Sequence, residues 1–577
     1  VTRKNHHQDA ENAEEAILSA PSAPLRWEFA VLAAILAVGA YLRFSHLGLL
    51  EFQGDEAFAA QLALGFVKHG KLPLAGLMSS VGVTNPPLFS YLLIPMFAIS
   101  ENPVAVSCCI AALGLAAVVM TWHIGRKYYG PVAGLVAATF FATSPWAVIY
   151  SRKIWAQDFV PVFATATMWA VHSVVLGNRP KAIFWCVLLP ICVIQIHFSG
   201  VALTVTVLAI LAWLRPKIDW RFAAAGLIAA IITMIPYFKF QQAHDWADFK
   251  QALHAVGGGQ QWEQLHGVTT HPVTGYRFPS KQNLSYALAI MNGRRIEDVL
   301  GIAAGREFDQ RQVWTNKAGG GHRYFADAQT FGDFLLFVQR AAFISALVWL
   351  AVIAVKGIRG LKVTEAAAHA AWIQVLWFVL PLAIFMMAGL WTYLTYFVIL
   401  YPVHFLACGV AAERIKSRPL AAGATVLLAA GCVVFMLDYY RFVDRYGGAQ
   451  GTFGTALGYK QQACRYIAEQ GGAKLREESE TQLALAMARS QQEQAALAEK
   501  LKQPILIELN HEGRPELPQL EWALLITQAT AGHTTLSNTT VILVDGNREA
   551  LQRQQWQQLA QYPNTNFGPI CLFFVKR

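Results

Sequence analysis

Residues 51–95 read EFQGDEAFAAQLALGFVKHGKLPLAGLMSSVGVTNPPLFSYLLIP. An apolar run over 27–45 leads into them, and Asp55 and Glu56 stand side by side just where it ends. In a soluble chain such a pair would be one more charged patch. Here its meaning depends on which side of a membrane it faces.

The 577-residue chain is 55% hydrophobic and only 14% charged, against about 25% charged in a soluble protein. Apolar runs of roughly 20 residues recur, the length that crosses a bilayer as a helix. Spans are expected near 27–45, 103–124, 131–150, 159–177, 182–198, 200–214, 222–238, 331–355, 367–390, 394–412 and 419–437. The fold class is therefore a polytopic α-helical membrane protein with about 11 spans. Residues 1–26 are polar and read as a cytoplasmic tail. The run from Phe29 has no small-residue cleavage site behind it and reads as a retained first span.

The connections sort by charge. One set holds Arg126 and Lys127; Arg179 and Lys181; Arg215, Lys217 and Arg221; Lys356, Arg359 and Lys362; Arg414, Lys416 and Arg418. The opposite turns, at 198–200 and 391–393, hold none. This asymmetry places the basic set in the cytoplasm. It accounts for the net charge of +10 without a nucleic-acid partner; the lipid bilayer is the implied one. The N-terminus is then cytoplasmic, and the first loop (46–102), the long loop (239–330) and the C-terminal region (439–577) lie outside.

In the first outer loop, 86–100 is too short to cross comfortably and 56–69 is amphipathic at helical spacing, so two juxtamembrane helices are expected there. Asp55 and Glu56 head the first of them. A helix N-terminus favours carboxylates, and one reading has Asp55 capping the helix with Glu56 in its first turn. The segment SPWAVIYSRKIWAQDFVPVF, 144–163, puts Arg152, Lys153 and Asp158 on the same outer face, against the charge rule. A guanidinium beside an ammonium suits a phosphate, although such cations also snorkel to interfaces.

The long loop contains MNGRRIEDVLG and NKAGGGHRYF. Arg294, Arg295 and His322 are candidate contacts to an anionic donor or acceptor. No Gly-Lys-Ser/Thr follows Gly319–Gly321, so this is no P-loop. The loop histidines match no compact zinc spacing. His197 ends the fifth span, and Tyr393 and Tyr396 sit at the same level. They are read as interfacial residues, with substrate contact as the alternative.

Beyond Tyr439 hydropathy falls. YKQQACRYIAEQ and 473–501 read as helical; PILIEL, WALLIT, TVILVDG and ICLFFVKR read as strands, with a further helix over 548–562. A C-terminal α/β periplasmic domain is expected, with Cys464 and Cys571 as an open disulfide question.

The acidic pair after the first span, Pro86-Pro87-Leu88 heading an interfacial helix, GRKYYG, SPWAVIYSRKIWAQD and the late YLTYFVILYP together resemble the GT-C membrane glycosyltransferases. The likeness covers the membrane region and is strongest over 27–200. Within the superfamily it points to the bacterial branch of the lipid A aminoarabinose transferase, with protein O-mannosyltransferases more distant. The resemblance implies an inverting sugar transfer on the outer face of the bacterial inner membrane. The donor would be a polyprenyl-phosphate sugar; the acceptor would be a lipid, glycan or protein. Asp55 corresponds to the family's catalytic base and Asp158 to its second-loop acid. Arg152 and Lys153 stand where the family places groups near the donor phosphate. Relatives often carry His or Lys before the Pro-Pro pair, where this chain has Asn85.

The chemistry is coherent from the residues alone. A phosphate leaves as a stable anion, so one base suffices and no second carboxylic acid need protonate the leaving group. Glu56 would orient Asp55 or hold a metal. No Asp-X-Asp triplet occurs at either acid, so no cofactor is required, with a divalent ion as an open addition. The competing reading is a secondary transporter of a small anionic or sugar solute. Its ionisable groups belong at the membrane midplane between repeated halves; here they gather at one interface. A scaffold with a degenerate site is the remaining alternative.

Overall fold

In a computed structural model the described residues are 26–79, 83–250, 282–292, 321–361, 363–387, 392–446, 455–488, 491–502, 506–509, 515–531, 539–544, 561, 564–567 and 570–576. The first part of the chain is helical: α1 Arg26–Phe44, α2 Gly54–His69, α3 Leu88–Ile99, α4 Pro103–Tyr128, α5 Pro131–Thr143, α6 Pro145–Ile149, α7 Ala156–Val175, α8 Ile183–Ile196, α9 Gly200–Leu214, α10 Trp220–Ala243 and α11 Gln282–Ala289. There follow α12 Gly321–Ile358, α13 Glu365–Met387, α14 Val403–Glu413 and α15 Arg418–Tyr446.

Among the described residues seven helices are long and apolar enough to cross a membrane, or eight if Leu394–Leu400 and α14, bent by 49°, form one span. The chain is thus a multi-pass helical membrane protein. The count is below the eleven read from hydropathy. Three of the expected spans are shorter apolar helices: α5, the helix over Pro180–Ile196 that includes α8, and α9. The run at 131–150 breaks at Ser144–Pro145, because proline has no N–H and disfavours helix in the residue before it. Its 13-residue α5 is about 20 Å long, short of the roughly 30 Å hydrocarbon core.

Both ends of α5 are capped by charges from distant helices. Glu413 accepts a hydrogen bond from the Ala133 N–H at 2.9 Å. Arg43, fully buried at the end of α1, donates to the carbonyls of Ala142 (2.7 Å) and Phe141 (3.2 Å), and to Ala147 in α6 (3.3 Å). These are orphan C-terminal carbonyls, and a cation there also meets the favourable end of the helix dipole. The approach of Arg43 and Ser151 to α4 leaves no room at Gly114: a Cβ there would lie 2.6 Å from Ser151 Cβ and 3.2 Å from Arg43 Nε. Gly114→Ala is expected to cost about 1–3 kcal/mol through overpacking. Thermal unfolding in detergent measures this, and an unchanged midpoint would contradict the tight approach.

The stretch between α1 and α4 folds as two helices, α2 and α3, where the sequence predicts two. The residues of α2 from Glu56 to Leu64 are mostly buried, and its last turn ends at Gly70 with φ +65°. The N-cap of α3 is Pro87.

After α15 come α16 Leu457–Met487, α17 Gln491–Lys500, β1 Leu506–Leu509, β2 Pro515–Glu516, α18 Leu520–Ala529, β3 Thr539–Val544, β4 Asn564–Phe567 and β5 Ile570–Lys576. The sheet order is β2-β1-β3-β5-β4, with β1 and β3 parallel and the other pairs antiparallel. WALLIT, expected as a strand, lies in α18. Trp522, Ala523, Leu524, Leu525 and Ile526 are all buried there. A short, wholly apolar run carries no period to separate a buried helix from a strand. The helix expected over 548–562 falls almost wholly outside the described residues. Cys464 is buried on α16; the side chain of Cys571 falls outside the described residues, and so does their pairing. The same apolar core runs from the membrane helices into α16, α18 and the sheet. Leu457 N–H donates to Leu50 O at 2.9 Å, joining this region to the segment that follows α1.

Candidate active site

The segment leaving α1 turns sharply. His46 takes φ 54°, Leu47–Leu49 make one 3-10 turn, and the chain runs extended to Gln53. Gln53, and not Asp55, caps α2. It forms a capping box: its backbone N–H donates to Glu56 Oε2 at 3.0 Å, and its side chain accepts from the backbone of Glu56. The box needs an acceptor three residues into the helix, so Glu56 turns back and is buried. Asp55, one place earlier on the helix, is exposed.

The second segment, 150–155, follows α6. Asp158 in the first turn of α7 organises it. Its Oδ2 accepts from the backbone N–H groups of Arg152 and Lys153, both at 3.0 Å. Its Oδ1 is buried without a hydrogen-bond partner. One carboxylate therefore fixes two successive residues and aims their side chains apart. Lys153 Nζ reaches Glu51 Oε2 at 2.6 Å and Glu56 Oε1 at 3.5 Å, and lies 3.7 Å from the centre of the Trp155 ring. Arg152 Nη2 donates to Ser45 O at 2.6 Å, its guanidinium stacks 4.6 Å from the Tyr440 ring centre, and its Nε is buried with no hydrogen-bond partner. Tyr440 in turn stacks on His46 at 4.9 Å and donates to Leu42 O.

The electrostatics follow from this packing. Burial pushes the Glu51 carboxyl up to about 7; Lys153 opposes the shift, and Glu56 and then Asp55 add to it. For Lys153 burial works to lower the pKa, but the charges of Glu51, Glu56 and Asp158 overcome it and raise the value. The ammonium is held charged between acids.

The structure thus brings Glu56, Arg152, Lys153 and Asp158 into one network, with Asp55 at its solvent edge. Glu51, Trp155 and Tyr440 belong to the same network and escaped sequence reasoning. Glu51 had a signal: it is one more acid in the same short loop. Lys153, expected beside a phosphate, spends its charge on Glu51 and Glu56; of the cationic pair, Arg152 keeps the unpartnered donor. Asn85 serves local structure. Its Nδ2 donates to Leu77 O (3.0 Å) and its backbone pairs with Leu77 and Gly76; its Oδ1 is buried without a partner. His197, Tyr396 and Tyr393 gather around one another. The His197 ring lies 4.7 Å edge-on to Tyr396, which lies 6.0 Å from Tyr393, and His197 Nδ1 is 2.8 Å from Ser199 Oγ. Arg294 and Arg295 lie outside the described residues, and His322 lies on the helical backbone of α12. Among the described residues no three His, Cys, Asp or Glu side chains converge as metal ligands.

Residues 84–239 match the family model described as dolichyl-phosphate-mannose-protein mannosyltransferase. Comparison with curated protein sequences gives no match. Among solved structures, the chain is similar to apo ArnT from Cupriavidus metallidurans, with 11% identity and a TM-score of 0.48 over 94% of this chain and 97% of that one. The same protein bound to undecaprenyl phosphate gives 11% identity and a TM-score of 0.45 over 96% and 98%. The oligosaccharyltransferase AglB from Archaeoglobus fulgidus, in complex with an inhibitory peptide and a dolichol-phosphate, gives 11% and 0.41 over 90% and 69%.

Proposed function

We infer that the chain is a membrane glycosyltransferase of the GT-C type, moving a sugar from a polyprenyl-phosphate donor to an acceptor hydroxyl. One observation carries this reading. An exposed carboxylate, Asp55, and a buried guanidinium with an unpartnered donor, Arg152, are tied to one rigid frame through Glu56, Glu51 and Lys153. The family match over 84–239, which includes Arg152 and Asp158, supports it.

In the proposed step Asp55 takes the proton of the acceptor hydroxyl as that oxygen bonds to the anomeric carbon. The bond from that carbon to the phosphate oxygen breaks on the opposite face, so configuration inverts and the polyprenyl phosphate departs. Arg152 stabilises the charge growing on the leaving phosphate. Asp158 holds Arg152 and Lys153 in place through their backbones. Lys153 ties that turn to the acids of the first outer loop. A secondary transporter remains the alternative, but charged groups at one end of the helices suit it poorly.

This reading also places the site, the first outer loop and the α/β region after residue 439 outside a bacterial inner membrane, with the N-terminus in the cytoplasm. It counts the three shorter helices and the bent pair as crossings, for eleven in all. The donor's tail would run between membrane helices. The acceptor is a lipid, glycan or protein. The test is purified protein assayed against a panel of polyprenyl-phosphate sugars, with and without EDTA, and mass spectrometry of the product. Failure to consume any lipid-linked donor in the presence of varied acceptors would defeat the assignment.

Glu51 adds a pH signature. Below about pH 7 its carboxyl is protonated and the lock on Lys153 weakens. The value of kcat is expected to rise about tenfold from about pH 6 to about pH 8, with a midpoint near 7. Stability should move the other way. The folded carboxyl titrates above its unfolded value of about 4.3, so its contribution is fullest below that pH and is lost as pH rises through about 7. Glu51→Gln should flatten both dependences; a variant that keeps the wild-type acid limb would remove Glu51 from it.

A further inference from the structure

We propose that Lys460, in the first turn of α16, is a positioning residue for the acidic segment 50–56, so that the region after α15 sets the geometry of the transfer site. The proposal rests on the glycosyltransferase reading above and deepens it.

Three contacts place the start of α16 against that segment. Lys460 Nζ donates to Phe52 O at 3.1 Å. Leu457 N–H donates to Leu50 O at 2.9 Å. The carbonyls on both sides of Glu51 are therefore held by the same helical turn. Between these anchors the backbones of Gly458 and Gly48 meet closely: a Cβ on Gly458 would lie 3.0 Å from Gly48 O. The N-cap of α16, Ala456, supplies no side-chain hydrogen bond. The N–H of Leu457, otherwise an orphan of the first turn, is satisfied by the acidic segment itself.

Lys460 is buried together with its partner. Its ammonium lies 2.8 Å from Glu521 Oε1 on α18, and the two side chains are 2% and 1% exposed. A buried ion pair is a poor stability device, because apolar residues of similar volume often do as well or better. What an apolar pair cannot do is hold the Phe52 carbonyl. Glu51 and Asp55 flank that carbonyl in sequence, and Glu51 carries the Lys153 link at 2.6 Å. A shift of an ångström in a positioning contact is enough to cost rate without touching the reacting groups.

Removing Lys460 alone would leave Glu521 buried and unpaired, so the informative variant is Lys460→Met/Glu521→Leu in the full chain, with Lys460→Arg as the conservative control. Two readouts are compared with wild type in detergent. In hydrogen exchange, amides of residues 46–56 should exchange at least about tenfold faster in the double variant while α4 and α7 stay protected. In the transfer assay kcat should fall about tenfold with donor KM within about twofold, and Lys460→Arg should recover most of it. Unchanged exchange over 46–56, or a wild-type kcat, would overturn the proposal. Global unfolding of the double variant would overturn it too, because the pair would then be a folding element. If wild type transfers no sugar, the function reading falls, and the exchange result still decides whether Lys460 positions the segment.

Discussion

Asp55→Asn is expected to lower kcat by about 10²–10⁴-fold, the usual worth of a positioned general base, with the protein still folded and donor affinity within about twofold. Two features argue for so clean a loss. Asp55 is exposed, with no ion pair within 4 Å among the described residues, so its amide replacement strands no buried partner. The capping of α2 depends on Gln53 and Glu56 instead. The neighbouring acid gives the contrast. Glu56 is buried, closes the capping box and faces Lys153 at 3.5 Å. Glu56→Gln should therefore weaken folding as well as rate, since a buried ammonium loses one of the three counter-charges that hold it, Glu51, Glu56 and Asp158. Both variants are read by single-turnover transfer alongside thermal unfolding. Near-wild-type turnover in Asp55→Asn would transfer the base role elsewhere, with Glu51 as the next carboxylate to examine.

The candidate site stands out in the sequence because charge is scarce in this chain. In an apolar background Asp55, Glu56, Arg152, Lys153 and Asp158 stand out, and the positive-inside asymmetry assigns them to one face before any fold is known. Their division of labour was not legible. Lys153 pairs with Glu51 across 102 residues and Lys460 reaches Phe52 across 408, and nothing in local pattern announces such partners. In sequence Asp55 is set apart as the base with Glu56 orienting it, but which of the two is buried is not legible there. The capping box separates them, burying Glu56 and leaving Asp55 outside, and it depends on a Gln at 53 that propensity ranks below Asp as a cap. Arg43 reads as an arginine at a span's end; its role as C-cap of α5 appears only when two helices meet. The break at Ser144–Pro145 was hidden for the opposite reason: a continuous hydropathy window averages across a proline that ends a helix.

Arg152→Ala carries the second large expectation, a loss of about 10²–10³-fold in kcat/KM, the scale of removing one preorganised donor to developing negative charge. Arg152 is fitted for that task by what already holds it. Asp158 fixes its backbone, Ser45 O takes one Nη2 donor, and Tyr440 supports the guanidinium plane, while Nε stays buried and unpartnered. A group held on three sides loses little entropy when an anion meets the remaining donor. Lys153 cannot substitute, because its ammonium lies between Glu51 and Glu56. Arg152→Lys should also fail to rescue, since a point charge on a flexible stem has neither the planar stack on Tyr440 nor a second fork of donors. The effect on the phosphate separates this role from the base: affinity for the polyprenyl phosphate product should fall at least about tenfold in Arg152→Ala and stay at wild type in Asp55→Asn. Equal product affinity in wild type and Arg152→Ala would assign the phosphate to another cation and leave Arg152 as a strut between Ser45 and Tyr440.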